Sequence, residues 1–334
     1  VWFTGVVRIG FVTTRFYQSL REHLSGGEPF AMGIITGVKG SSPQKLGAKA
    51  LFFADGRIVG TMGGGCLEAE IQARARQALA SRTPATFELV LDHDFGWDDG
   101  LICGGKVRGV ILPHAQQAAG LWRELAECAQ PRTWGVKPDF SVAWATADTA
   151  DWLYTETVAP PCALWIAGSG HIAQAVAPLA LQLDFTVTVF DDRPAFASPE
   201  FFPEGVELRV DYWEALLAEP LPPRPTFGLI VTRGHQRDAL VLRHWIQQPF
   251  TFLGMIGSRR KKRLIFSQFV EDGLATEAQL ARVACPVGLD IGAVSPQEIA
   301  VSILAQYVQQ RARMGAERHT GPRTPEPCAP PAAP

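Results

Sequence analysis

Sulfur is the first chemistry this chain offers. Cys66 follows three glycines in TMGGGCLE (61–68), and Cys103 stands in a second glycine setting, ICGG (102–105). The run LEAEIQARARQAL (67–79) is rich in helix formers, so Cys66 is expected in the first turn of a helix. A thiol placed there meets partial positive charge and amide donors, which favour the thiolate. A thiolate can attack an electrophile, bind a soft metal or carry a transferable sulfur. Gly63, Gly64 and Gly65 put no side chain in front of it, so a backbone or a planar ligand can come close. Two glycine-flanked cysteines point to one shared site. The competing reading makes a cysteine one more small buried hydrophobe, and it is the expectation for Cys128, Cys162 and Cys285.

A second group of candidates lies in the C-terminal half. After the apolar run ALWIA (163–167) comes GSGHIA, a GxGxxA loop that leads into helix-forming residues. Gly168 allows a tight turn, Gly170 removes a side chain where a pyrophosphate would approach, and Ala173 lets the helix sit close to the sheet. His171 opens that helix, where amide groups face an anion. Asp191 ends the next strand, where an acid can bind ribose hydroxyls. The bland alternative is a glycine turn that any parallel sheet needs. Two further strand ends carry His235, a candidate phosphate donor or acid–base group, and Ser258 with Arg259, candidates for an anion. The acids and histidine of DHDFGWDD (92–99) match no calcium-loop spacing and read as a solvated turn.

These residues need elements to hold them. In the first part, a helix over 11–26, strands at 30–37, 48–54, 57–62, 86–91 and 106–112, and helices at 67–79 and 114–129 predict a mixed α/β domain. The stretch 130–161, with its prolines and polar patch, reads as an inter-domain connection, and the boundary is placed at 155/156. Residues 156–314 alternate strand and helix, which predicts a Rossmann-like doubly wound parallel sheet. Ser295, Pro296 and Glu298 form a capping box for a final helix. The tail 315–334, which includes Cys328, is rich in Pro and Ala and is expected to be disordered.

With 334 residues, 47% hydrophobic and 19% charged, the chain can build two full cores. A net charge of −2 gives no global reason to bind nucleic acid or an anionic membrane, and no apolar stretch has spanning length. The first thirty residues lack the order of a secretory signal. Six scattered cysteines without a CxxC pair fit neither a disulfide scaffold nor structural zinc. A soluble cytoplasmic protein is the expectation.

Both halves resemble the xanthine dehydrogenase accessory factor family, also called the XdhC/CoxI family. The resemblance rests on GSSPQKLGAKALF (40–52), DGRIVGTMGGGCLE (55–68) and CGG (103–105), then on IAGSGHIAQAVAPLA (166–180), VFDDR (189–193), GSRRK (257–261) and PVGLDIGAVSPQEIAVSILA (286–305). It implies a chaperone that binds molybdenum cofactor (molybdopterin), shelters it during sulfuration and inserts it into a molybdenum hydroxylase such as xanthine dehydrogenase. A cysteine desulfurase as sulfur donor and a homodimer are part of that expectation. The family's glycine-flanked cysteine matches Cys66, and its second Cys-Gly-Gly matches Cys103. Where the family's loop after GSSP commonly holds arginine, this chain has Gln44 and then Lys45, so Lys39, Lys45 and Lys49 are left to meet a pterin phosphate. Two other functions compete: an NAD(P)-dependent oxidoreductase that uses the C-terminal domain, and a scaffold linking a sulfur donor to a client enzyme.

Overall fold

The computed structural model describes residues 14–40, 44–91, 105–145 and 152–317. The chain divides into two units between Pro160 and Pro161. The expected boundary at 155/156 falls inside a strand of the first unit, Tyr154–Val158.

In the first unit, helix α1 (Arg15–Ser25) precedes strands β1 (Phe30–Lys39), β2 (Lys49–Phe53) and β3 (Ile58–Gly60), helix α2 (Gly65–Ser81), and strands β4 (Ala85–Leu91) and β5 (Gly105–Leu112). The five strands form one antiparallel sheet in the order β3-β2-β1-β5-β4. Side chains alternate across it with the period of a strand. Ala31, Ile35, Phe52 and Ile111 face α2, which buries Leu67, Ile71, Ala75 and Ala78 against them. Phe30, Met32, Ile34 and Leu112 face the other way, toward Tyr17, Trp122 and Trp134. The segment expected as one helix over 114–129 is a 3-10 turn (Ala115–Ala118) followed by α3 (Ala119–Ala126).

The stretch expected as a linker is folded. Strands β6 (Arg132–Val136), β7 (Val142–Trp144) and β8 (Tyr154–Val158) make a small antiparallel sheet in the order β7-β6-β8. Pro131, Pro138 and Pro160 flank these strands and interrupt none of them, as the missing proline N–H requires. Trp134 of β6 is fully buried, which supplies the core contact that such short strands need.

The second unit is a parallel sheet of six strands in the order β11-β10-β9-β12-β13-β14. Its elements run β9 (Cys162–Ala167), α4 (His171–Gln182), β10 (Phe185–Asp191), β11 (Val206–Val210), α5 (Trp213–Leu217), β12 (Thr226–Ile230), α6 (His235–Trp245), β13 (Phe252–Met255), α7 (Arg259–Glu271), α8 (Glu277–Ala281), β14 (Val283–Ala284) and α9 (Pro296–Glu317). One face of the sheet packs Leu164, Ile166 and Val189 against α4 and α9; the other packs Trp165, Phe190 and Ile230 against α5 to α8. Helices on both faces make it doubly wound, as the alternating pattern requires. The short β11, α5, α8 and β14 escape a reading by periodicity, which needs longer windows. The capping box of α9 is present: Glu298 N–H donates to Ser295 Oγ (3.3 Å), and the Glu298 carboxylate accepts from Ser295 N–H (2.8 Å). Helix α9 continues through Glu317, past the expected start of the tail, and residues from 318 onward lie outside the described residues.

Candidate functional site

The antiparallel registers bring three connections to one end of the first sheet. Lys39 at the end of β1 pairs with Lys106 at the start of β5, and Gly60 at the end of β3 pairs with Ala50 at the start of β2. The loop bearing Lys45 and the loop bearing Gly63 to Gly65 therefore leave from the same sheet end. Strand β5 begins there too, at Gly105, whose pairing with Leu91 puts the end of β4 beside it. Cys103 belongs to the connection before β5 and lies outside the described residues, as do Asp92, His93, Asp94, Asp98 and Asp99.

Cys66 is exposed at the second residue of α2. The apolar stripe of that helix begins at Leu67, and burying the stripe leaves the neighbouring Cys66 toward solvent. The three glycines before it have φ values of +123°, +70° and +57°. A Cβ added at Gly64 or Gly65 would meet nothing within 4 Å. Glycine is required there by backbone conformation, and these two glycines put no side chain beside the thiol. The loop is held where it begins. Glu68 accepts at Oε2 from Met62 N–H (2.8 Å) and from the Thr61 hydroxyl (3.0 Å), and Thr61 Oγ1 accepts from Gly63 N–H (3.2 Å). The sequence marks Glu68 only as an acid in a first helical turn; its reach back to Thr61 and Met62 is a tertiary result.

One of the lysines departs from expectation. Lys45 is exposed in the loop after β1, but Lys49 is buried, its side chain 3% exposed. Its ammonium donates to the Glu156 carboxylate of β8 and to Gly47 O (2.6 Å). Tyr17 and Tyr154 donate to the same carboxylate, and Trp134 Nε1–H donates to Tyr17 Oη (2.8 Å). Burial and then the charge of Glu156 push both phenols well above the usual tyrosine range, so they stay neutral donors. Lys49 holds the interior together and does not face a phosphate. Cys128, Cys162 and Cys285 are buried, and burial pushes the thiols of Cys128 and Cys285 up, in keeping with small hydrophobes.

In the second unit the expected residues gather at the carboxyl ends of the parallel strands. Gly168 has φ +109°, and a Cβ there would lie 2.5 Å from Val231 O. Gly170 caps α4 with open space around it, His171 is exposed as the first residue of that helix, and Ala173 is fully buried. Asp191 is in the expected place, with a different use. Its Oδ2 accepts from Ser169 N–H and Oγ–H, both at 2.7 Å, and Arg193 donates from Nε and Nη2 to its two oxygens, both at 2.8 Å. Burial alone would raise its pKa, yet the bonds from Arg193 and Ser169 outweigh it and hold the carboxyl below the usual range. At 1% exposure, this carboxylate braces its own loop.

Asp238 repeats the arrangement one loop further on. It accepts from Thr232 N–H (3.0 Å), from the Thr232 hydroxyl (2.6 Å) and from Lys261 Nζ. His235 and Ser258 do come together: with Arg260, Lys261, Leu264 and Ile265 they line a pocket of about 430 Å³. Ser258 caps α7 by accepting from Lys261 N–H (3.2 Å), and Arg259 begins that helix in solvent. Among the described residues, no three His, Cys, Asp or Glu side chains group to hold a metal ion, and no helix is long and apolar enough to cross a membrane.

Comparison with known proteins agrees at both halves. Residues 23–94 match the family model described as XdhC and CoxI family, and residues 164–307 match the XdhC Rossmann domain. The uncharacterized protein YqeB of Escherichia coli is 33% identical over 84% of this chain, which spans only 43% of YqeB's length. A probable xanthine dehydrogenase component of Bacillus subtilis is 26% identical, over 90% of this chain and 98% of its own. The molybdenum cofactor insertion chaperone PaoD of Escherichia coli is 26% identical, over 87% and 86%. A crystal structure of a xanthine dehydrogenase from Bacillus halodurans superposes with a TM-score of 0.76 at 26% identity, covering 89% of this chain and 96% of the other. An exposed cysteine behind a triple glycine, a doubly wound second unit and two matching domain models lead to one conclusion: the chain belongs to the XdhC and CoxI family.

Proposed function

We propose that this chain binds molybdenum cofactor as cargo, supports its sulfuration and delivers it to a molybdenum hydroxylase of the xanthine dehydrogenase kind. The observation that carries the reading is Cys66, exposed at the start of α2 behind three glycines, two of which have open space at their Cβ positions. A thiolate is a soft donor suited to a molybdenum dithiolene, and an open approach suits a flat ligand that must later leave. Lys45 at the same sheet end adds a cation for the pterin phosphate, and Cys103 adds a second thiol. In this reading the chain works in the cytoplasm as a homodimer, with a cysteine desulfurase supplying sulfur. Within the second unit, the pocket at His235 and Ser258, with Arg259 at the start of the same helix, is a separate candidate site for an anion.

The test is Cys66→Ala in the full chain. It is expected to keep its melting temperature within about 1 °C, since exposed substitutions away from special features change stability little, while cofactor retention and client activation fall at least tenfold. Unchanged retention and activation would overturn the proposal. Parallel titration with NAD(H) and NADP(H) addresses the oxidoreductase alternative, which the internal engagement of Asp191 disfavours. Tight dinucleotide binding with hydride turnover, and no uptake of molybdenum cofactor, would favour that alternative instead.

A further inference from the structure

We infer that Glu68 is a positioning residue for the Cys66 thiol. The inference rests on the proposed role of Cys66 and adds a device that makes the thiol's placement definite. Three successive glycines with positive φ are the least constrained backbone a chain can offer. Left to themselves they would let the first turn of α2 fray, since its leading amides have no intrahelical acceptors. The carboxylate of Glu68 opposes this by tying the first turn to the chain before the glycines. With Gly64 as the N-cap, an ordinary capping box would send the third helical residue, Leu67, back to the cap. Here the fourth residue reaches further, past the glycines, to Met62 N–H and the Thr61 hydroxyl. Thr61 Oγ1 passes the constraint on to Gly63 N–H. The Met62 side chain is buried against Leu67 and Ile71, so the brace ties a fixed point of the core to the helix start. Between the two anchors the glycines have fewer paths than a free loop would, and Cys66 follows directly from them. An acid near the amino end of a helix is also favoured by the helix dipole.

The experiment compares Glu68→Ala and Glu68→Gln with the wild-type chain. Both remove the same charge, but glutamine keeps a carbonyl acceptor for Met62 N–H, so loss of charge does not account for a difference between the two variants. Three quantities are read: hydrogen exchange of the Met62 and Gly63 amides, the rate of Cys66 alkylation by iodoacetamide from pH 6 to 9 by peptide mass spectrometry, and retention of molybdenum cofactor. Glu68→Ala is expected to exchange at least tenfold faster at these amides, to change the alkylation rate at pH 7 at least threefold, and to lose cofactor at least tenfold. Glu68→Gln is expected to restore most of each. Wild-type exchange and alkylation in Glu68→Ala, or a glutamine variant as impaired as the alanine one, would overturn the inference. Changed exchange and alkylation, with cofactor retention untouched by both Glu68→Ala and Cys66→Ala, would uphold the brace and refute the role of the thiol instead.

Discussion

Replacing Glu156 by alanine should be among the most damaging single changes in the first unit. Its carboxylate is fully buried and accepts from Tyr17, Tyr154 and Lys49, which come from α1, β8 itself and β2. Without it the Lys49 ammonium keeps one bond, to Gly47 O, and is otherwise an unpaired buried charge. Breaking a buried pair in this way costs about 3–5 kcal/mol. Each phenol left without an acceptor adds up to about 1–3 kcal/mol, although groups in one network do not add independently. A working value of about 4 kcal/mol lowers the melting temperature by roughly 8–16 °C for a unit of this size. Scanning calorimetry on the full chain measures it, since the two units can melt separately. The double variant Lys49→Met with Glu156→Gln removes both charges and keeps one acceptor for a tyrosine. It should recover at least half of the loss, because apolar replacement of a buried pair is often nearly neutral. If Glu156→Ala melts within about 3 °C of the wild type, or the double variant is no better than the single, the assignment of this stability to the paired charge is wrong.

Two further outcomes concern the second unit. Gly168→Ala should cost about 1–3 kcal/mol in backbone strain alone, with the contact to Val231 O added, whereas Gly170→Ala should cost only the poorer N-cap, about 1 kcal/mol or less; urea titration of both distinguishes conformational need from open space. The Asp191 carboxyl is held below its unfolded value, so its contribution to stability is full above about pH 4 and is lost as the pH falls through the lower folded pKa. Arg193→Ala should therefore be destabilised most near pH 6, with the gap to wild type closing toward pH 3 in urea titrations across that range.

Much of the candidate site is legible in the residues themselves. The alternation of ALWIA, FTVTVF and FGLIVTR with helical runs reports a local backbone preference, so the parallel sheet and the loops at its carboxyl ends can be read in advance. The start of α2 at the glycines, the exposure of Cys66 beside a stripe beginning at Leu67, and the Ser295–Glu298 cap are local in the same sense. The small sheet at 132–158 is not legible, because strands of three to five residues carry too little pattern and depend on Trp134 finding a core.

Residue order alone settles where chemistry-bearing groups fall along each element: a thiol at a helix start, glycines at strand ends, an acid closing β10. Which partner each side chain takes depends on the packed fold. Lys49 meets Glu156 across 107 residues and Tyr17 meets it across 139, and those contacts turn an expected phosphate ligand into a core ion pair. Asp191 is turned inward in the same way by Ser169, 22 residues back. Spacing fixes the face and depth of a residue, but a charge in a low-dielectric interior binds whichever opposite charge or donor the fold brings to it.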